Sequence, residues 1–380
     1  MSDLQRNSLS PLSSSSRTSA ETMDSSSPSP RPVFSLQRAS ELTLQHYGVT
    51  VTEVSNLPSY MDQNFLVKDA EGTRYVLKIM NSEESKDATL LGLQTLAMSF
   101  LLSRGVPAQT ALCTTTGRLM TSEETGCGPG AQTFCVRLMT YLPGDTIAQS
   151  PVTTQDLYRV GKLAANIDKA LQQLQSPDLH VLQRDGVLWT FPNFCLLEDY
   201  LSVMDGDPLQ DIVRAVLDQF RSHVQPRINT FQKGIIHGDL SDQNILVTPG
   251  GGGHHEVSGV LDFSFLMNGC YVFELAVSIM YLMLENPRPL DVGGAVLAGW
   301  ESIMPLNEEE KDSLFLLVLA RFCQSLVYGR FNARRYPDNK KFILTTAESG
   351  SRLLTELWER GKTDVEQRWF KDASVFSEES

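Results

Sequence analysis

Between the apolar pairs Ile235-Ile236 and Ile245-Leu246 the chain sets His237, Asp239, Asp242 and Asn244. One carboxylate beside a substrate hydroxyl can orient it and accept its proton. An amide and a second carboxylate supply the hard oxygens that Mg2+ takes together with phosphate and water. The second carboxylate lies downstream, where a strand-like run after the glycine-rich residues 249–253 ends in Asp262-Phe263. Upstream, Lys78 interrupts the β-rich pentad 75–79. The polar hexad alone would read as a solvated turn. Joined to Lys78 and Asp262, it completes the parts of kinase-type phosphoryl transfer, where positioning and charge stabilisation supply most of the rate.

These residues need a frame. Short apolar runs rich in β-branched residues flank the hexad and read as buried strands that pin a loop from both sides. Residues 34–142 mix strand-like runs (75–79, 134–142) with one helix candidate near 86–103, a small sheet carrying a helix. Beyond 143 the pattern turns helical. Leu157, Val160, Leu163, Ala164, Ile167, Leu171 and Leu174 follow the three- and four-residue steps of a buried face, and 308–328 and 340–360 read as further helices. A strand-rich first part and a helical second part make an α+β protein of two unequal lobes, 34–142 and 143–365. The first 33 residues hold twelve Ser and four Pro, too little apolar surface to offset ordering, and read as a disordered tail; 366–380 reads as a C-terminal tail.

Composition narrows the partners. A net charge of −13 argues against a nucleic-acid binder, which needs clustered Lys and Arg, and suits small cationic ligands. No uninterrupted apolar run approaches the roughly 18–20 residues that cross a bilayer, so no membrane partner is expected. Six scattered cysteines without a C-x-x-C pair fit reduced thiols in the cytoplasm. The oligomeric state is left open.

The pattern His237-Gly238-Asp239, Asn244 five positions on, then Asp262-Phe263 beyond a hairpin, resembles the catalytic motif of the aminoglycoside phosphotransferase and choline kinase family, which has a protein-kinase-like bilobal fold. The resemblance spans most of residues 40–365. It implies Asp239 as catalytic base, Asn244 and Asp262 as Mg2+ ligands and Lys78 as the lysine that contacts the nucleotide phosphates, with His237 shaping the loop. Stretches such as 136–144, 271–276, 292–299 and 321–326 are most similar to the branch of that family that transfers the γ-phosphoryl of GTP to the side-chain hydroxyl of 5-hydroxy-L-lysine, a step of hydroxylysine catabolism. GTP as co-substrate is implied by this resemblance alone.

Three departures stand out. Gln94 falls where such folds place a helix Glu against the lysine. The phosphate-covering stretch 56–65 has no glycine; backbone N–H groups can still hold phosphate there, with Ser59 and Asn64 as added donors. Ser264 follows Asp262-Phe263 in place of Gly. A free amino-alcohol acid also needs groups for its charges: Asp242, Glu274 and Glu285 are the nearby acids, Glu274 as a brace for the loop, and Arg321 and Arg330 are candidates for the carboxylate. Kinases for choline, ethanolamine or homoserine, and an inactive kinase-like interaction module, remain the alternatives.

Overall fold

The structure is a computed structural model that describes residues 29–126 and 130–379; residues 1–28 of the expected tail and Cys127 lie outside the described residues. Residues 29–33, also assigned to that tail, pack against the first lobe. Pro30 and Pro32 are buried, and the Pro30 carbonyl accepts from Ser82 N at 2.9 Å.

Helix α1 (Leu36–Tyr47) was not anticipated. It is marked by its ends: the Ser35 hydroxyl accepts from Arg38 N, and Gly48 closes it at φ 68. Strands β1 (Val51–Leu57), β2 (Gln63–Asp69) and β3 (Arg74–Ile79), helix α2 (Ala88–Ser103), and strands β4 (Thr121–Thr125) and β5 (Gln132–Thr140) follow. The strands form one antiparallel sheet in the order β1-β2-β3-β5-β4. Alternation decides the faces. Leu77 and Ile79 of the central strand β3 join Phe65, Phe134 and Leu138 in a core sealed by Leu42 and Tyr47 of α1, so Lys78, between them, points to the opposite face.

After the connector at residues 141–144 come β6 (Asp145–Thr146), α3 (Thr154–Leu171), α4 (Leu209–Gln219), β7 (Lys233–Ile236), β8 (Ile245–Pro249), β9 (His255–Val260), β10 (Met267–Cys270), α5 (Tyr271–Leu284), α6 (Pro289–Glu301), α7 (Glu308–Arg335), α8 (Lys340–Ile343) and α9 (Ala347–Glu379). Strands β6-β8-β9 and β10-β7 form two small sheets. The first, joining the connector to the chain after residues 237–244, is antiparallel. Helix α7 starts on a capping box between Asn307 and Glu310. It is long and apolar enough to cross a membrane, but its apolar stretch is mostly buried as the core helix of this lobe.

The expected C-terminal tail is corrected. Helix α9, broken at Gly361 (φ 78), continues past residue 365 to Glu379, with Trp369 fully buried and Ala373 nearly so. Gly293 and Gly294 of α6 make room for it: a Cβ on Gly293 would stand 2.3 Å from the Trp369 ring. The second half of α9 belongs to the second lobe's core, with Trp369 packed against Gly293 and Phe315.

Candidate active site

The segment 237–244 links β7 to β8, and its backbone is held at nearly every step. Glu274, at the start of α5, accepts from Gly238 N at 2.6 Å and Leu240 N at 3.0 Å, so it does brace the loop. Ser278, one turn along α5, donates to the Leu240 carbonyl at 2.9 Å. Gly238 sits at φ 82, and a Cβ there would lie 2.4 Å from the Phe265 carbonyl, so the position needs glycine. His237 is fully buried; its Nδ1 accepts from Asp239 N (3.3 Å), which leaves Nε2–H to donate to the Leu261 carbonyl (2.9 Å). Burial lowers its pKa to about 4, so it is a neutral structural histidine.

That scaffold presents Asp239. One carboxylate oxygen takes Arg321 Nη2 at 2.9 Å, and the other takes Asn244 Nδ2 at 3.0 Å. Asn244 Nδ2 also reaches the Asp239 carbonyl at 2.8 Å, which leaves the amide oxygen of Asn244 to act as an oxygen ligand. Burial raises the Asp239 carboxyl to about 6 against the pull of Arg321. Arg321 is 2 % exposed, donates to the Trp189 carbonyl at 3.2 Å, and lies between the rings of Trp189 and Tyr281, 4.9 and 5.3 Å from their centres. It was singled out as a carboxylate ligand; the structure gives its guanidinium to Asp239. Arg330 is engaged by Asp207 at 2.6 Å.

Across the cleft, Lys78 Nζ bridges Asp262 Oδ1 (3.0 Å) and Asp62 Oδ2 (2.9 Å). Burial opposes its charge, but Asp262 and Asp62 outweigh that and raise its pKa. Asp262, opposed by its own burial, is pulled to about 2 by Lys78 and by Ser264, whose N–H (3.1 Å) and hydroxyl both donate to Oδ1. Among the described residues Asp262 is the one non-glycine residue with positive φ (51°). Aspartate tolerates this conformation better than most side chains, and such strain tends to gather at functional positions.

The partner of Lys78 is a correction. Gln94, expected to face it, instead donates to the Ser264 carbonyl (3.2 Å) and accepts from Arg137 (3.4 Å), so it buttresses the segment after Asp262. The acid comes from Asp62, in the loop between β1 and β2. The second oxygen of that carboxylate takes Asn81 N (2.9 Å) and Asn81 Nδ2 (3.0 Å). The clue was register: Asn64 lies directly opposite Lys78 in the β2–β3 pair, which brings the acid two positions earlier to the strand end. Asn64 Oδ1 is buried without a partner, whereas the Ser59 hydroxyl turns into its own loop, onto the Asp62 carbonyl. Glu84, which sequence reasoning passed over, sits beside this group; burial and Asp62 push its carboxyl to about 7.

The β1–β2 loop also touches the second lobe. Asn339 Nδ2 donates to the Ser59 and Tyr60 carbonyls (3.0 and 3.1 Å), Asn332 of α7 donates to the Tyr60 hydroxyl (2.8 Å), and the Tyr60 ring meets Trp189 edge-on at 6.2 Å. A cavity of about 300 Å3, lined in part by Arg184, Trp189, Phe191, Gly238 and Phe273, opens beside residues 237–244. His255, on β9 beyond the glycine-rich turn, pairs with Asp156 (3.2 Å).

Residues 53–306 match the model of the phosphotransferase enzyme family. The chain belongs to that family. It is 48% identical over 346 residues to a hydroxylysine kinase of Danio rerio, covering 91% of this chain and 98% of the relative, and 39% identical over 362 residues to one of Mus musculus, covering 92% and 96%. Among solved structures, an amicoumacin kinase in complex with AMP-PNP and Ca2+ superposes with a TM-score of 0.63 at 14% identity, over 88% of this chain and 94% of that one, a likeness of fold. The kinase-like bilobal α+β architecture expected from the motif is therefore the architecture found, and the relatives named are kinases of small molecules.

Proposed function

We propose that this phosphotransferase moves the γ-phosphoryl group of GTP to the side-chain hydroxyl of 5-hydroxy-L-lysine. The observation that carries the reading is the arrangement around Asp239, a carboxylate fixed by Arg321 and Asn244 opposite a Lys78–Asp262 pair. The relatives named hydroxylysine kinase, at 39–48% identity over most of the chain, support the acceptor. GTP rather than ATP rests on the resemblance alone.

In this scheme Asp239 orients the acceptor hydroxyl and takes its proton as the oxygen bonds to the γ-phosphorus and the bond from that phosphorus to the β–γ bridging oxygen breaks, releasing GDP. Its proton affinity, near neutrality, suits a base working near neutral pH. Lys78 contacts the nucleotide phosphates, with Asn64 and the backbone of the β1–β2 loop as further donors; Ser59 contributes only if its hydroxyl leaves the Asp62 carbonyl. The amide oxygen of Asn244 and the outer oxygen of Asp262 fit a divalent cation, since one carboxylate and one neutral oxygen leave room for phosphate and water ligands. Mg2+ held there would neutralise charge on the phosphate oxygens. Five unpaired cysteines among the described residues suit a reducing cytoplasm.

A turnover assay with GTP and ATP against hydroxylysine, choline, ethanolamine and homoserine tests the reading. Hydroxylysine with GTP is expected to give the highest kcat/KM, with all activity lost in excess chelator. Choline or homoserine turned over as well as hydroxylysine would replace the acceptor. No turnover with any acceptor would favour an inactive module, and full activity in chelator would remove the metal.

A further inference from the structure

We infer that Asp242 is the anchor for an acceptor ammonium group on the carbon next to the phosphorylated hydroxyl, so that the site selects vicinal amino-alcohols. The inference rests on the proposed reading of Asp239 as the residue that receives the hydroxyl. Asp242 is 2 % exposed, and its Oδ1 is buried without a hydrogen-bond partner among the described residues. The other carboxylate of the loop, Asp239, has both oxygens engaged by Arg321 and Asn244. A buried carboxylate oxygen left unpaired is costly, and a cation brought by a ligand would supply the missing partner.

The position of Asp242 is imposed by its surroundings. Its carbonyl accepts from Ala148 N at 3.2 Å, and Asn244 N bonds to the Ser241 carbonyl at 3.1 Å, so the backbone on either side of it is tied down. Its carboxylate acts electrostatically on Tyr281, as does that of Asp239, and Tyr281 faces the Arg321 guanidinium; Asp242 therefore shares one neighbourhood with the base. Glu285, at the end of α5, adds a third acid to that neighbourhood. The Arg321 guanidinium is taken up by Asp239, which leaves Oδ1 of Asp242 without a hydrogen-bond partner among the described residues. In a vicinal amino-alcohol, two adjacent carbons carry the hydroxyl and the ammonium, so a hydroxyl on Asp239 obliges the ammonium to lie close by, where a carboxylate three positions along the same loop can meet it.

The test compares 5-hydroxylysine with 2-amino-5-hydroxyhexanoic acid, which keeps the chain, the hydroxyl and the α-amino acid but has hydrogen in place of the side-chain ammonium. The wild-type protein is expected to favour hydroxylysine by roughly 10- to 100-fold in kcat/KM, the worth of a hydrogen bond to a charged group. In Asp242→Asn that preference should collapse to a few-fold, and in Asp242→Glu, which keeps the charge, part of it should return, with melting curves confirming that both variants fold. An unchanged preference in Asp242→Asn, or an equal loss on both substrates, would overturn the inference while leaving the proposed activity standing. A wild-type protein that phosphorylates neither compound would overturn the activity and the inference with it.

Discussion

Asp239 carries the sharpest expectations. Asp239→Asn keeps the shape and loses the base, so turnover should fall about 10²- to 10⁴-fold with an unchanged melting curve; near-normal turnover would remove the base assignment. Its pH dependence has a definite sign. Burial raises the carboxyl to about 6, and only the ionised form accepts a proton, so kcat/KM should decline as pH falls through about 6. Arg321 holds that value down, so in Arg321→Met the acid limb should move to higher pH; a limb that stays in place or moves down would show that Arg321 does not act through Asp239. The pairing of Asp239 with Asn244 and of Lys78 with Asp262 was legible because the motif and the strand lysine set residue types at fixed spacing. Asp62 and the Arg321 partnership were not. Each pairs residues separated by many positions, with side-chain directions set by tertiary packing. Asp62 lies within the stretch 56–65, but nothing in the sequence ties an acid at that point to Lys78.

At the scale of elements, α7 and the β1–β2 loop were half visible. The apolar start of α7 is plain in the sequence, yet its polar contacts, from Arg321 to Asn332, acquire meaning only from what faces them. Helix α1 was missed because its buried face is short, with Ala39, Leu42, Thr43 and Tyr47, although Ser35 and Gly48 marked its ends. The contacts of Asn339 and Asn332 with the loop predict a latch. In Asn339→Ala, which loses two hydrogen bonds to the loop, cleavage of residues 57–62 by a protease should speed up and KM should rise several-fold, each bond contributing about 0.5–1.5 kcal/mol. The melting temperature should hardly move, because the loop packs on the small cluster of Ala333, Tyr336 and Ile343 and adds no residue to the main core of either lobe. Unchanged proteolysis and KM would mean that the contact does not hold the loop.

The whole molecule is closed from the end the sequence seemed to leave loose. Trp369→Ala should cost about 3–5 kcal/mol, as emptying a buried aromatic site does, and lower the melting temperature markedly; a wild-type melting curve would place the last turns of α9 outside the core. Removing residues 1–28 should leave both melting and turnover unchanged, since a Ser- and Pro-rich segment adds no core. A drop of several degrees would reveal a docked segment. The two tails looked alike in the sequence because both lack a long apolar period, but one of them carries an indole that fits against paired glycines.

The loop between β1 and β2 touches both sides of the cleft within three residues: Asp62 holds Lys78, and Tyr60 meets Asn332 and Trp189. A ligand that changes either contact resets the other, so the nucleotide and the acceptor should bind with heterotropic synergy. Thermodynamic reciprocity then fixes the outcome of paired calorimetric titrations: the factor by which a non-hydrolysable nucleotide tightens the acceptor must equal the factor by which the acceptor tightens the nucleotide, and loosening the loop with Asn332→Ala should bring both factors toward one together.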